Sequence, residues 1–400
     1  MNEQQNINQL PKEWKWVKLG DVLSVSSGKG IKVNSLQGGK YAVYGGNGLN
    51  GYHSEYLLED SKLIIGRVGV KCGVMHITKP KSWVTDNALI VESKNDAFDI
   101  KFLKLKLGFE NLNKLSVSTA QPVISGSKIY AYEILLPPKF TQQAIVSKIE
   151  ELFSELDKGI ENLRTAQQQL KTYRQSVLKW AFEGKLTNEK VKEGELPKGW
   201  KWVELKEMID KIRCGSGVVP SNEISNYPIL RSSSVRTGKI NFGDIKYVQK
   251  IEKIKKDDFI IKGDLLFTRL NGSIDYVGNC AKVPDVFLNN LIYPDRLFRM
   301  RLLKPEYADY IMHLFATSTA RRIIEKNAKS TAGHMRISTP DITGMLIPLC
   351  PDKEQSKIVQ EIESRLSVAD KMEESITQSL QQAEALGQSI LKKAFEGALV

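Results

Sequence analysis

Two stretches of the chain carry the apolar period of a long helix. From Gln142 to Phe182, Ile149, Leu156, Leu163, Leu170 and Val177 recur every seven residues, and Ile145, Leu152, Gly159, Ala166 and Tyr173 fill the companion positions. Such a pattern, sustained over about five heptads, predicts a coiled-coil seam. The second stretch places Ile358, Ile362, Leu366, Ile376, Leu380, Ala383, Leu386 and Ile390 on one side, but Arg365 and Ser379 interrupt its companion row. Its seam is looser and closer to a period of 3.6. A helix of about 40 residues is about 60 Å long, and one amphipathic helix of that length needs a partner for its apolar stripe. Packing against each other as an antiparallel intramolecular pair is the expected arrangement, because the domain between them can bring the chain back. Folding of each helix onto its own head, or pairing between two molecules, are the alternatives.

The two helices are one helix written twice. Gln142-x-x-Ile145-Val146-x-x-Ile149-Glu150 returns as Gln355-x-x-Ile358-Val359-x-x-Ile362-Glu363, and Gln175-Ser176-Val177-Leu178-Lys179-x-Ala181-Phe182-Glu183-Gly184 as Gln388-Ser389-Ile390-Leu391-Lys392-x-Ala394-Phe395-Glu396-Gly397. Gln142 to Gln355 and Gln175 to Gln388 are each 213 positions apart, so no insertion separates the copies. A second echo opens each half, where Leu10-Pro11-Lys12-x-Trp14-Lys15-Trp16-Val17-x-Leu19 returns as Leu196-Pro197-Lys198-x-Trp200-Lys201-Trp202-Val203-x-Leu205. The offset there is 186, so the second head is longer than the first while the helices keep one length. A tandem duplication with a constant spacer and variable heads suits a long two-part target better than a single pocket.

Prolines and glycines mark the breaks. Pro137-Pro138 and Pro348 with Pro351 stop the strand before each helix, with Thr141 and Asp352 as the expected caps, and Gly184 ends the first helix. The expected layout is a tail at 1–9, a head at 10–140, a helix at 141–184, a linker at 185–195, a second head at 196–352 and a second helix at 353–400. The heads read as β-rich, so the expected fold class is α+β: two β-rich domains joined by two long helices in pseudo-twofold repeat.

Within the first head, Tyr41-Ala42-Val43-Tyr44 runs into Gly45-Gly46-Asn47-Gly48 and out through Leu49 to Tyr52, which predicts a hairpin with an Asn-Gly turn. The strand Lys62–Gly66 ends in Arg67, with Lys71 following, and Asp264–Thr268 ends in Arg269-Leu270-Asn271-Gly272. Each head thus delivers an arginine from a buried strand into a glycine-rich loop. Later in each head, Ser118-Thr119-Ala120 precedes Ile124-Ser125, and Ser330-Thr331-Ala332 precedes Ile337-Ser338. The inserts differ, Gln121-Pro122-Val123 against Gly333-His334-Met335-Arg336. Hydroxyls, amides and a variable polar insert suit phosphate positioning with base reading, and they equally suit an ordinary hydroxyl-stabilised turn.

With 58 basic against 46 acidic residues in 400, the net charge is +12, which attracts polyanions without naming one. Four isolated cysteines, Cys72, Cys214, Cys280 and Cys350, form neither a disulfide framework nor a zinc pattern, and no apolar run approaches a membrane span, so a reducing cytoplasm is expected. Gly184-Lys185 precedes Leu186 and Gly39-Lys40 precedes Tyr41, so no nucleotide-binding phosphate loop is written. Leu136-Pro137-Pro138-Lys139 lacks the flanking residues of an adenine methyltransferase motif, and Cys72 with His76 gives two metal ligands at most.

The doubled opening motif, the Tyr41–Gly48 turn, the Gly263–Arg269 strand, the Ser-Thr-Ala loops and the Gln-x-x-Ile-Val helices closing in Ala-Phe-Glu-Gly resemble the specificity subunit of type I restriction-modification systems, from Leu10 to Val400. The resemblance implies two target-recognition domains, each reading one half of an asymmetric, bipartite double-stranded DNA site, with the helices as conserved spacer. It implies two methyltransferase subunits that use S-adenosylmethionine, and restriction subunits that use ATP and Mg; this chain would hold no cofactor or metal and perform no catalysis. Candidate DNA contacts are Gly46, Asn47, Arg67, Lys71 and Gln121 in the first head, and Arg231, Ser232, Arg269, Asn271, His334 and Arg336 in the second. Arg67 and Arg269 fit bidentate contact to guanine, a phosphate contact or a structural salt bridge. Trp180 is matched by Lys393, so methyltransferase docking on that helix face would not be equivalent in the two copies. A scaffold that binds only proteins, or an enzyme with an unrecognised site, are the competing readings.

Overall fold

The computed structural model describes residues 13–400 except 33–35, 37, 70, 117–121, 189, 193, 251, 253, 286 and 332. It divides into two compact units, Met1–Arg164 with Thr377–Val400, and Thr165–Ile376. The expected α+β class holds: each unit contains a β-rich head and segments of both long helices.

In the first unit the opening motif becomes the strand Lys15–Lys18, paired antiparallel with Glu133–Leu136, the strand that leads into the first long helix. Trp14 is buried, while Trp16 stands 55% exposed. The main sheet is antiparallel, in the order Leu23–Ser27, Ala88–Ser93, Leu63–Gly66, Met75–Ile77. Its central strand, Leu63-Ile64-Ile65-Gly66, is apolar and fully buried because both its faces are covered. One face meets Leu103 and Leu107 of the helix Ile100–Phe109, whose first turn is capped by Asp99 through the Lys101 and Phe102 amides. The other face meets Ala42, Tyr44 and Val84, which belong to a small sheet of Gly48–His53, Tyr41–Gly45 and Trp83–Val84.

The second unit repeats the plan. Lys201–Glu204 pairs with Leu346–Leu349, with Trp200 buried and Trp202 58% exposed. The main sheet runs Ile209–Cys214, Leu297–Leu302, Leu265–Thr268, Cys280–Lys282, against the helix Ala308–Phe315. Much of the second head's extra length falls between its first two sheet strands in sequence. That segment forms two more strand pairs, Pro228–Leu230 with Ile245–Tyr247 and Val235–Arg236 with Lys239–Ile240.

The long helices are Lys139–Phe182 and Asp352–Phe395, 44 residues each. In the first unit the start of one packs against the end of the other, with Ile145, Val146 and Ile149 beside Ile390, Ala394 and Phe395. In the second unit the end of the first helix and the start of the second share a core, with Leu178, Ala181 and Phe182 beside Ile358 and Ile362. The two therefore run antiparallel within one chain. The first helix starts two residues before Thr141, which lies in its first turn. Asp352 is the first residue of the second helix, and its carboxylate is engaged by Lys304 Nζ at 2.8 Å and by the Tyr307 hydroxyl.

The seam of the second helix differs from the expectation at one point. Leu386 is 52% exposed, and Gly387 takes the buried position next to it. A Cβ on Gly387 would lie 3.5 Å from Leu156 Cδ2 and 3.7 Å from the Phe153 ring, so large side chains of the first helix fill the place an apolar residue would take. At the matching position in the first copy stands Arg174, which bridges to Asp370 at 2.6 Å and Glu373 at 2.9 Å of the second helix. The two copies thus solve one crossing by close approach and the other by ion pairing.

The repeated glutamines join helix to head. Gln142 is fully buried, donates to the carbonyls of Ala97 (3.0 Å) and Pro137 (2.9 Å), and accepts from the Asp99 amide at 2.8 Å. Gln355 donates to the Cys350 carbonyl at 3.0 Å, while its buried Oε1 has no partner among the described residues. No described helix is long and apolar enough to cross a membrane.

Candidate nucleic-acid interface

In the first head, backbone from four segments converges where the central strand ends. A Cβ on Gly66 would collide with the carbonyl oxygens of Gly46 and Lys71, and one on Gly46 would lie 2.8 Å from the Asn87 carbonyl oxygen. Glycine is required at both places by this close approach. The structure thereby brings Gly46, Asn47, Arg67 and Lys71 into one neighbourhood. Arg67 is held by its backbone: its amide donates to Asn87 O at 2.9 Å, its carbonyl accepts from the Ile124 amide at 2.9 Å and from the Cys72 thiol at 3.2 Å. Its guanidinium, half-buried, reaches only Ser27 Oγ, at 3.4 Å, and forms no ion pair among the described residues. Lys71 and Asn47 are exposed. Gln121 and the Ser118–Ala120 loop lie outside the described residues.

The hairpin closes one residue earlier than an Asn-Gly turn requires. Gly45 pairs with Gly48, Gly46 and Asn47 span the connection, and the left-handed residue is Gly48, at φ +98°. Gly48 packs on His76, whose imidazole burial, reinforced by Lys104, holds its pKa below the ordinary value.

In the second head, three of the six candidates lie on one small sheet and Arg269 stands immediately before it. Leu270–Asn271, His334–Arg336 and Lys329–Thr331 form three antiparallel strands, pairing Leu270 with Arg336, Asn271 with Met335, and Ser330 with Met335. The stretch expected as a loop is therefore partly strand, because its backbone groups bond across to a strand on each side. Arg269 enters this sheet with the same backbone pattern as Arg67: its amide donates to Arg296 O at 2.9 Å and its carbonyl accepts from the Ile337 amide at 3.1 Å. Its guanidinium donates to the Asp295 carbonyl at 3.1 Å and lies 5.6 Å from the Phe298 ring centre, with no ion pair among the described residues. Arg336 is exposed, and Asn271 Oδ1 accepts from the Ser273 amide at 3.2 Å.

Arg231 and Ser232 sit apart from that sheet, at the turn Ser232–Ser234. Arg231 forms a salt bridge with Asp244 at 2.8 Å. Burial raises the Asp244 pKa, but hydrogen bonds from Ser233 and Arg231 outweigh it and hold the carboxyl below its ordinary range.

Sequence reasoning passed over two exposed residues in this setting, Asn87 and Arg296, whose carbonyls receive the Arg67 and Arg269 amides. A faint signal existed, the echo Asp86-Asn87-Ala88-Leu89 against Asp295-Arg296-Leu297-Phe298. It passed over Arg236 too, which stacks 4.3 Å from the Tyr276 ring centre.

Residues 11–164 match the type I restriction modification DNA specificity domain. The type I restriction enzyme EcoKI specificity subunit of Escherichia coli (strain K12) is 35% identical over 291 residues, covering 72% of this chain and 62% of that protein, so the chain spans somewhat under two thirds of its length. The EcoBI specificity subunit of Escherichia coli is 24% identical over 433 residues, covering 99% of this chain and 89% of the relative. Among solved structures, a chain from work on complex assembly and conformational transition of the type I R-M system superposes with a TM-score of 0.73 at 17% identity, covering 98% of this chain and 99% of its own length. The HsdS subunit from Thermoanaerobacter tengcongensis gives 0.58 at 18% identity, covering 98% of this chain and 99% of its own length, and both likenesses bear on the fold. Residues 11–164 thus carry the type I restriction modification DNA specificity domain, and the doubled heads and paired helices extend the likeness to type I restriction-modification specificity subunits along the rest of the chain.

Proposed function

We propose that this chain is the DNA-reading subunit of a type I restriction-modification complex. Each head reads one half of an asymmetric bipartite site, and the equal 44-residue helices are the constant element between two variable readers. The observation that carries this reading is the repeated backbone frame around Arg67 and Arg269, built on the same two hydrogen bonds in both heads and surrounded by different side chains. A shared frame with unlike loops reads two unlike sequences, whereas identical readers would give a palindrome. Gly46, Asn47, Arg67 and Lys71 in the first head, with Arg269, Asn271, His334 and Arg336 in the second, are the proposed contacts, and Gln121 is proposed with them on its sequence position alone. Arg231 and Ser232 are proposed to act from the flank.

Chemistry belongs to the partners in this reading. Two methyltransferase subunits supply S-adenosylmethionine-dependent adenine methylation, and restriction subunits supply ATP- and Mg-dependent cleavage. This chain supplies the address, and its net charge of +12 favours the approach of DNA. The test is modification-sensitive sequencing of DNA from cells that express the chain with its neighbouring methyltransferase gene. A methyl-adenine motif in two parts with a fixed gap is expected. A stable complex that leaves no motif, and whose DNA affinity is indifferent to salt, overturns the proposal in favour of a protein scaffold.

A further inference from the structure

In each head the strand-end arginine is braced by a tight turn that the family reading does not use. In the first head the turn is Thr85-Asp86-Asn87-Ala88, closed by the Ala88 amide donating to Thr85 O at 3.1 Å. In the second it is Pro294-Asp295-Arg296-Leu297, closed by the Leu297 amide donating to Pro294 O at 3.0 Å. Both turns lead directly into a main-sheet strand, Ala88–Ser93 or Leu297–Leu302. The third residue of each turn offers its carbonyl to the arginine amide, Asn87 to Arg67 and Arg296 to Arg269, both at 2.9 Å. Asn87 and Arg296 therefore hold the same place in the two heads.

Their side chains share a second property. Both residues are exposed, and neither side chain has a hydrogen-bond or ion-pair partner among the described residues. Among the described residues, none bonds to the Asn87 side-chain amide or the Arg296 guanidinium. Their backbones, in contrast, lie in closed turns and are held through their carbonyls, so the side chains project from a braced base. Unpartnered polar groups on a rigid turn, beside the residues of the proposed interface, are suited to recognition. Their chemistry differs in the informative way: an asparagine matches the N6/N7 edge of adenine and an arginine the O6/N7 edge of guanine, each bidentate in the major groove.

We infer that Asn87 and Arg296 are equivalent base-reading positions, Asn87 directed to an adenine in one half-site and Arg296 to a guanine in the other. The inference rests on the proposed function and adds to it the residues that make the two heads read differently. The frame contributes position through backbone contacts, and these two side chains contribute identity.

The test uses the full chain assembled with its methyltransferase, after the wild-type motif has been determined. Competition binding against duplexes carrying each single base-pair change gives a discrimination profile for wild type, Arg296→Lys, Arg296→Gln and Asn87→Ala. Arg296→Lys keeps the charge and loses the planar fork, so near-normal affinity for duplexes changed at one guanine, with affinity for the cognate duplex and hence discrimination at that guanine reduced roughly ten- to a hundredfold, is expected. Asn87→Ala is expected to relax one adenine position in the other half-site by a similar factor. An Arg296→Lys profile equal to wild type, or a uniform loss across all duplexes with a shallower salt dependence in Arg296→Gln, overturns the inference, the second outcome marking a phosphate contact. A wild-type complex without any sequence preference overturns the parent reading itself. Circular dichroism of each variant separates these outcomes from misfolding.

Discussion

The Ile337 amide donates to the Arg269 carbonyl at 3.1 Å, just as the Ile124 amide donates to the Arg67 carbonyl at 2.9 Å. This relation fixes a strand-end arginine by its backbone and leaves its side chain lightly held. Arg269→Ala removes one bond, to the Asp295 carbonyl, and the contact with the Phe298 face. A change in unfolding free energy within about 0.5 kcal/mol is expected, because the backbone bonds survive. Affinity for the cognate duplex should fall by at least tenfold at physiological salt, read by fluorescence anisotropy.

Gly66 behaves in the opposite way. A methyl group there meets two backbone oxygens that cannot rotate aside, those of Gly46 and Lys71. Gly66→Ala is expected to destabilise the first head by roughly 2 kcal/mol or more, seen as a lowered midpoint in denaturant. An unchanged midpoint would mean that the four segments do not converge as described.

The two repeated glutamines are expected to differ in worth. Gln142→Ala leaves the Ala97 and Pro137 carbonyls and the Asp99 amide without partners, a cost on the order of 2 kcal/mol or more. Gln355→Ala orphans only the Cys350 carbonyl and costs about 1 kcal/mol. Thermal unfolding of the two variants side by side tests the order.

Gly387 offers a stabilising substitution. A Cβ there makes ordinary contact with Leu156 and Phe153, and alanine is favoured over glycine inside a helix by about 1 kcal/mol. Gly387→Ala should therefore raise the unfolding midpoint, while Gly387→Leu overpacks the crossing and lowers it by roughly 1–3 kcal/mol.

The pH dependence follows from two half-buried histidines. Burial depresses the pKa of His76, with Lys104 adding to it, and burial also depresses that of His313, where Lys282 adds and Asp309 opposes. The folded state thus holds both imidazoles neutral while the unfolded chain takes up protons near the ordinary value of about 6.5. Fewer protons bound in the folded state means that stability falls as pH drops below about 6.5 and levels off once the folded pKa values are passed. Thermal midpoints between pH 8 and 5 should show this decline, and His76→Phe with His313→Phe should flatten it.

The large architecture was legible because it is written in local periodicity. A seven-residue apolar repeat copied at a constant offset needs no tertiary information to predict two long helices of one length, and the Trp-x-Trp echo marks where each head begins. The second tryptophan of each motif stands outside while the first is buried, as alternation along a strand requires. The strand-end arginines were legible for the same reason, since each follows an apolar run and precedes a glycine-containing stretch.

Other features depended on who meets whom across the chain. Leu386 and Gly387 are adjacent on a helix that tolerates either facing inward, and the bulk of Phe153 and Leu156 opposite them decided for glycine. Arg174 reads as a surface residue until Asp370 and Glu373 are seen beside it. Asn87 and Arg296 lie in short turns of ordinary composition, and their significance comes from carbonyls bonded to arginines 20 and 27 residues away. A duplicated chain with two long amphipathic helices and two β-rich heads is written in residue order, because periods and repeats are properties of near neighbours. Tertiary structure alone decided which polar side chains are consumed in holding the fold and which remain free for a partner, because that balance is struck between residues distant in sequence.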